Sequence, residues 1–249
     1  MPTALFLSPH LDDAAFSCAG TLLTLKNAGW DICHCTVFTA SVPHPAGFAL
    51  RCQTDKNIAP EVDYMALRRR EDMSFAQSVG VSDVRHWDFA EAPHRGYESP
   101  AALFAGVRPG DDVWQPVAEA VADLVSELDP LQVFAPQGLG NHADHLQLIA
   151  AVRDTVVDDL VCWYRDTPYA IREPDARPSS LLPPGLTEQA TPLSEDILAR
   201  KIAGACAYQS QIGFQFGGPE EVARKLAEFH RAEAARMGLD GYAEACLRE

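Results

Sequence analysis

The sequence predicts an α/β fold, a mainly parallel sheet covered by helices on both faces. Three observations predict it. Short apolar, β-rich runs alternate with stretches of helical period. The length of 249 residues is ordinary for one open α/β sheet. The composition, 47% hydrophobic and 22% charged, is that of a globular protein.

In chain order, "TALFLS" reads as a buried strand, "FSCAGTLLTLKNAG" as a helix ending at Gly29, and "WDICHCTVFTA" as a second strand, completing one βαβ unit. "YMALRRREDMSFAQSVG" is a helix stopped at Gly80, and "VRHWDF" the strand after it. The pattern continues with helix "WQPVAEAVADLVSELD", strand "LQVFAP", helix "ADHLQLIAAVRDTVV" and strand "LVCWY". Right-handed crossovers then place the strands in parallel. Two turn-rich segments, 40–63 and 89–112, are longer than ordinary connections and read as pocket walls or lids. Beyond Tyr164 a proline-rich stretch is read as irregular, followed by helices over Ser194–Tyr208 and Pro219–Met237. One domain, 1–249, is expected, with a core over 1–165 and a C-terminal irregular segment and helices over 166–249.

A formal charge of −15 argues against nucleic-acid and anionic-membrane partners, which require clustered Lys and Arg. The one basic run, Arg68 to Arg70, lies on a helix where its side chains point in three directions. A small-molecule substrate is expected, and homo-oligomers stay open. The seven cysteines are scattered and lack C-x-x-C spacing, which indicates neither a disulfide framework nor a thiolate metal site. With no apolar leader and no run of membrane-spanning length, a cytoplasmic location is the expectation.

The chemistry concentrates where strands end. "FLSPHLDDAAFS" puts His10, Asp12 and Asp13 directly after the first strand, where open parallel sheets bind ligands. The loop has no G-x-G-x-x-G, and two carboxylates there would repel a pyrophosphate. Adjacent carboxylates also repel each other unless a cation sits beside them. One can ligate a divalent metal while the other acts as general base on a water. Helix capping by aspartate is the competing reading.

"VFAPQGLGNHADHLQL" repeats the arrangement, with His142, Asp144 and His145 opening a helix after a buried strand. Parallel strands bring both loops to one sheet edge, where three protein ligands and an open position make a catalytic metal site. The tail of the metallo-β-lactamase run H-x-H-x-D-H is a rival match, but position 140 is glycine.

The pair "PHLDD" and "HADH" resembles the LmbE-like or PIG-L family of N-acetylglucosaminyl de-N-acetylases, zinc enzymes with a Rossmann-like three-layer α/β/α fold. "LRRRED" is similar to that family's R-x-x-E helix, and "YQSQI" to a late S-Q segment. The resemblance implies zinc, or another divalent metal such as ferrous iron, on His10, Asp13 and His145. It implies Asp12 as general base, His142 as oxyanion or leaving-group partner, Asp144 as the residue orienting a histidine, and Arg68 as a substrate contact with Glu71 paired to it or facing solvent. Its implied substrate is an N-acetylated sugar, cleaved to free amine and acetate. Leu11 and Ala14 depart from the family's P-H-P-D-D-E and put substrate range in doubt.

Arg165 and Asp166, just after "LVCWY", are further substrate-contact candidates, and His44 and His94 in the long segments are candidate pocket linings. His34, His86 and His230 have no ligand-spaced companion. Two alternatives stand: an amidase acting on an aminosugar–thiol conjugate, and a non-catalytic metal- or sugar-binding module.

Overall fold

The computed structural model describes residues 1–249. Its strands are β1 (Thr3–Ser8), β2 (Asp31–Thr36), β3 (Asp83–His86), β4 (Gln132–Pro136), β5 (Val161–Tyr164), β6 (Thr187–Leu193) and β7 (Tyr242–Arg248). The helices are α1 (Asp13–Asn27), α2 (Gly47–Thr54), α3 (Tyr64–Val79), α4 (Pro100–Leu103), α5 (Trp114–Leu128), α6 (Ala143–Thr155), α7 (Tyr169–Arg172), α8 (Glu195–Ala205), α9 (Gln209–Phe216) and α10 (Pro219–Arg236).

The seven strands form one sheet in the order β3-β2-β1-β4-β5-β7-β6. The first five run parallel, and β7 and β6 close one edge antiparallel. The strand order reverses between the parallel neighbours β1 and β4, whose carboxyl ends therefore flank the crevice where such sheets bind ligands.

Strand β1 shows why the layers form. Ala4 and Phe6 face one apolar cluster and Leu5 and Leu7 the other, the two-residue alternation of a strand buried on both faces. The first cluster joins β1 and α1 to α3, α8, α9 and α10, and the second lies under α5 and α6. Phe6 and Phe134 stack across β1 and β4 with centroids 4.2 Å apart. On α5, Val117, Val121 and Leu124 recur at helical spacing and are the buried stripe.

Helix α1 is buried through Leu23. It comes so close to the last strand that a Cβ on Gly20 would stand 2.7 Å from Glu244 Oε1. Glu244 instead accepts the backbone N–H groups of Gly20 (2.8 Å) and Thr21 (2.6 Å), the Thr21 hydroxyl (2.7 Å) and the Lys201 ammonium (2.6 Å).

Three parts of the sequence reading change. The stretch read as irregular contributes β6, and a further strand, β7, follows the last helix where no element was expected. The first long segment folds into α2, and the helix read over Ser194–Tyr208 is α8, with a separate helix, α9, after it. Residues 193–226 of the C-terminal part share the apolar cluster of β1 and α1. No helix is long and apolar enough to cross a membrane.

Candidate active site

Both motif loops emerge at the crevice. After β1 the Ser8 hydroxyl donates to His10 O (2.7 Å) and accepts from Ala14 N (3.0 Å), fixing the turn into α1. Asp12 stands at the N-cap position of α1 yet makes no capping bond. Its burial therefore does not serve the helix. The Asp13 carboxylate turns back, accepting the His10 backbone N–H at 2.9 Å through Oδ2.

The same Oδ2 lies 2.9 Å from His10 Nδ1 and 3.2 Å from His145 Nε2. Ligand atoms bonded at 2.0–2.1 Å to a tetrahedral ion are about 3.3 Å apart. Asp13 Oδ2 already stands near such a spacing from each of the two nitrogens. His145 Nε2 is buried and makes no hydrogen bond, while its Nδ1 meets Asp166 Oδ1 at 2.5 Å. Nδ1 thus carries the proton, and Nε2 offers a lone pair. His10, Asp13 and His145 fit a divalent metal.

His10, His142 and His145 also place one nitrogen each within 4.8 Å of one another. The partners separate their roles. His142 Nδ1 accepts the Asp144 N–H at 3.2 Å, so the neutral ring holds its proton on Nε2, which is thereby available as a donor. Burial and the neighbouring His10 keep His142 well below the usual imidazole pKa, and therefore neutral. Burial opposes charge on His145, but Asp13 and Asp166 raise its pKa to about 9, so the Nε2 lone pair becomes available when a metal ion displaces a proton from it. Burial likewise acts against ionised Asp13, and the two histidines outweigh it, holding the carboxyl well below its ordinary range.

Asp144 is fully buried. It accepts from Arg95 Nη1 (2.8 Å) and Ala92 N (2.9 Å), and its Oδ2 lies 3.0 Å from His10 Nε2. It therefore orients His10. Asp12 is pushed up to about 7, first by burial, with Arg68 pulling it down and Asp13 pushing it further up.

Arg68 sits 3.5 Å from Asp12 Oδ1 and is ion-paired to Glu91. Glu71 does not pair with it. Its carboxylate accepts the Ser210 N–H (2.7 Å) and hydroxyl (2.6 Å), tying α3 to α9, and Gln211 donates to Tyr64 Oη at 2.8 Å. The S-Q segment is thus a clamp behind the site. Arg165 lies outside the site: its Nε is 3.5 Å from Glu233, against α10. The chain direction after β5 sends adjacent side chains apart, Asp166 inward to His145 and Arg165 outward.

A cavity of 280 Å³ opens over these groups and includes His10, Asp12, Asp13, Arg68 and His142. Tyr169 also lines it, edge-on to His145. Gly140 has a φ of +82°, and a Cβ there would meet the Tyr169 ring at 3.3 Å, so a side chain at this position is strained. His44 and His94 line a separate cavity of 850 Å³, with Tyr64 common to both. His34 and His86 both reach buried Asp72, at 3.1 and 2.7 Å, and Tyr208 joins them; His230 is buried against Ala243 O.

Residues 5–156 match the family model described as GlcNAc-PI de-N-acetylase. The chain belongs to the PIG-L family. It is 30% identical over 245 residues to 2'-N-acetylparomamine deacetylase of Streptomyces fradiae, covering 97% of this chain and 82% of that one. A teicoplanin-pathway deacetylase solved as a complex superposes with a TM-score of 0.83 at 26% identity, covering 98% and 96% of the two chains. The zinc-inhibited form of teicoplanin deacetylase gives 0.81 at 25%, covering 98% and 97%. Among PIG-L members these relatives are deacetylases, and the histidine cluster of this chain suits a divalent metal.

Proposed function

We propose that this chain is a divalent-metal-dependent deacetylase that hydrolyses the acetamide of an N-acetylated aminosugar in a small glycoside or glycoconjugate, releasing a free amine and acetate. The observation that carries it is the meeting of His10 Nδ1 and His145 Nε2 on one Asp13 oxygen, with a second, uncapped carboxylate, Asp12, beside them. Zinc is the first choice of metal for two histidines and a carboxylate, ferrous iron the second.

The ion, when bound, supplies a Lewis acid for the acetamide carbonyl and lowers the pKa of water. Everything else comes from the chain. Asp12 accepts the proton of the attacking water, and its burial beside Arg68 suits it to hold and then release that proton. His142, neutral and protonated on Nε2, donates to the oxygen that gains charge as the tetrahedral carbon forms. Asp12 or His142 delivers the proton to nitrogen as the C–N bond breaks. Asp144, anchored by Arg95, keeps His10 in place. Arg68, held by Glu91, is positioned to steady Asp12 and to meet substrate polar groups. The seven unpaired cysteines suit a reducing, cytoplasmic compartment.

A non-catalytic binding module would have no use for Asp12. Asp12→Asn is therefore the test. It should retain its metal, measured by elemental analysis, while amine release from N-acetylglucosaminides falls about 10²- to 10⁴-fold. Undiminished release with normal metal content rejects the base assignment.

A further inference from the structure

The cavity over the reacting groups continues outward to residues that no step of the reaction uses, among them Lys56, Gln211 and Phe214. Phe214 is 59% exposed, a large aromatic that the core does not require. Its ring is nevertheless held. The Lys56 ammonium lies 5.1 Å from its centroid and 5.3 Å from that of Tyr64, and donates to Cys52 O at 2.6 Å. Lys56 forms no ion pair, so in a chain of charge −15 its contacts are to the two aromatic faces and that carbonyl. Gln211 spends its amide N–H groups on Tyr64 Oη and Ser210 Oγ, which leaves its carbonyl oxygen as an acceptor.

A fixed aromatic ring beside an amide acceptor matches one chemistry well: a saturated ring with an apolar face and hydroxyl or amino groups at its rim. An acyl chain laid on Phe214 would instead strip water from the Lys56 ammonium, which no carboxylate compensates. Phe214 and Gln211 also lie outside residues 5–156, the part matched to the family, whereas the reacting groups lie inside it.

We propose that Phe214, clamped by Lys56, is a specificity-determining residue whose ring stacks on the second ring of a two-ring glycoside, the ring joined to the acetamido sugar. The proposal rests on the deacetylase reading and assigns its outer subsite. Substrate choice between one ring and two is then set by α9.

Wild type, Phe214→Ala and Phe214→Tyr are compared on N-acetylglucosamine, N,N'-diacetylchitobiose and octyl N-acetylglucosaminide. Phe214→Ala should raise KM for the two-ring substrate about tenfold with kcat within about twofold, leave kcat/KM for the single ring unchanged, and be rescued by tyrosine. Calorimetric binding of N,N'-diacetylchitobiose should weaken by the same factor, a readout that needs no turnover. Equal losses on one and two rings, no loss at all, or a loss confined to the octyl glycoside overturns the subsite. A wild type that binds the disaccharide through Phe214 yet releases no amine from any substrate strikes the deacetylase reading alone.

Discussion

His145 has no freedom left once its Nδ1–H donates to Asp166 Oδ1, and Nε2 is aimed by that bond as well as by packing. Asp166 is itself fixed, accepting Leu139 N at 3.2 Å through its other oxygen. Partners of this kind commonly decide metal affinity by about 10- to 100-fold. Asp166→Ala should accordingly weaken metal binding by about that factor in competition with a chelator, whereas Arg165→Ala, one position away but turned to Glu233, should leave it unchanged. Equal affinities in Asp166→Ala and wild type would remove Asp166 from the site.

The elements that frame the crevice are held by one buried carboxylate. Glu244 on β7 receives two backbone donors of α1, a hydroxyl and the Lys201 ammonium of α8, and Lys201 also donates to Ser17 O at 3.1 Å. Removing Glu244 leaves that ammonium buried with no opposing charge, a cost of about 3–5 kcal/mol. Glu244→Ala should lower the denaturation midpoint correspondingly, and pairing it with Lys201→Met should recover a large part of the loss. A double variant no more stable than the single one would contradict this.

The same elements explain what could be read from the sequence. β1, α1, β4 and α6 were legible because central parallel strands carry continuous apolar runs and each motif sits within a few residues of its strand. α2 and α9 are eight residues each, short enough that contacts rather than periodicity decide them. β6 alternates only weakly in burial and pairs with a strand some fifty residues on, so nothing local announces it. Arg68 with Glu91 and Asp166 with His145 depend on the same long-range meeting, although the residue types were visible.

Across the molecule, apolar clusters bind residues 4–23 to residues 193–226, and we infer one cooperative folding unit. Acid should unfold it in one transition. Burial, aided by Lys201, lowers His230 from 6.5 to about 3, so between those values the unfolded chain binds a proton that the native chain refuses. The stability is fully present above about 6.5 and is lost as pH falls, with a slope of about 1.4 kcal/mol per unit for this one group. Asp72 and Glu244, both held below the ordinary carboxylate range against their own burial, add to the loss below about pH 4. Denaturant titrations at pH 7 and 5 should differ by about 2 kcal/mol through His230, and His230→Asn, which keeps a donor for Ala243 O, should flatten the difference. The raised pKa values of His145 and Asp12 act in the opposite sense over this range, so the comparison is between variants: an identical pH 7-to-5 difference in wild type and His230→Asn would refute the assignment.

The two neighbouring cavities share Tyr64, and α2 stands between them, with Phe48 and Cys52 facing one and Ala49, Leu50 and Gln53 facing the other. Two turns of helix, with Tyr64 beside them, stand between a cavity of 280 Å³ and one of 850 Å³. Shaving that partition is the shortest route to a roomier entrance, open to bulkier guests, and it leaves every reacting group where it is.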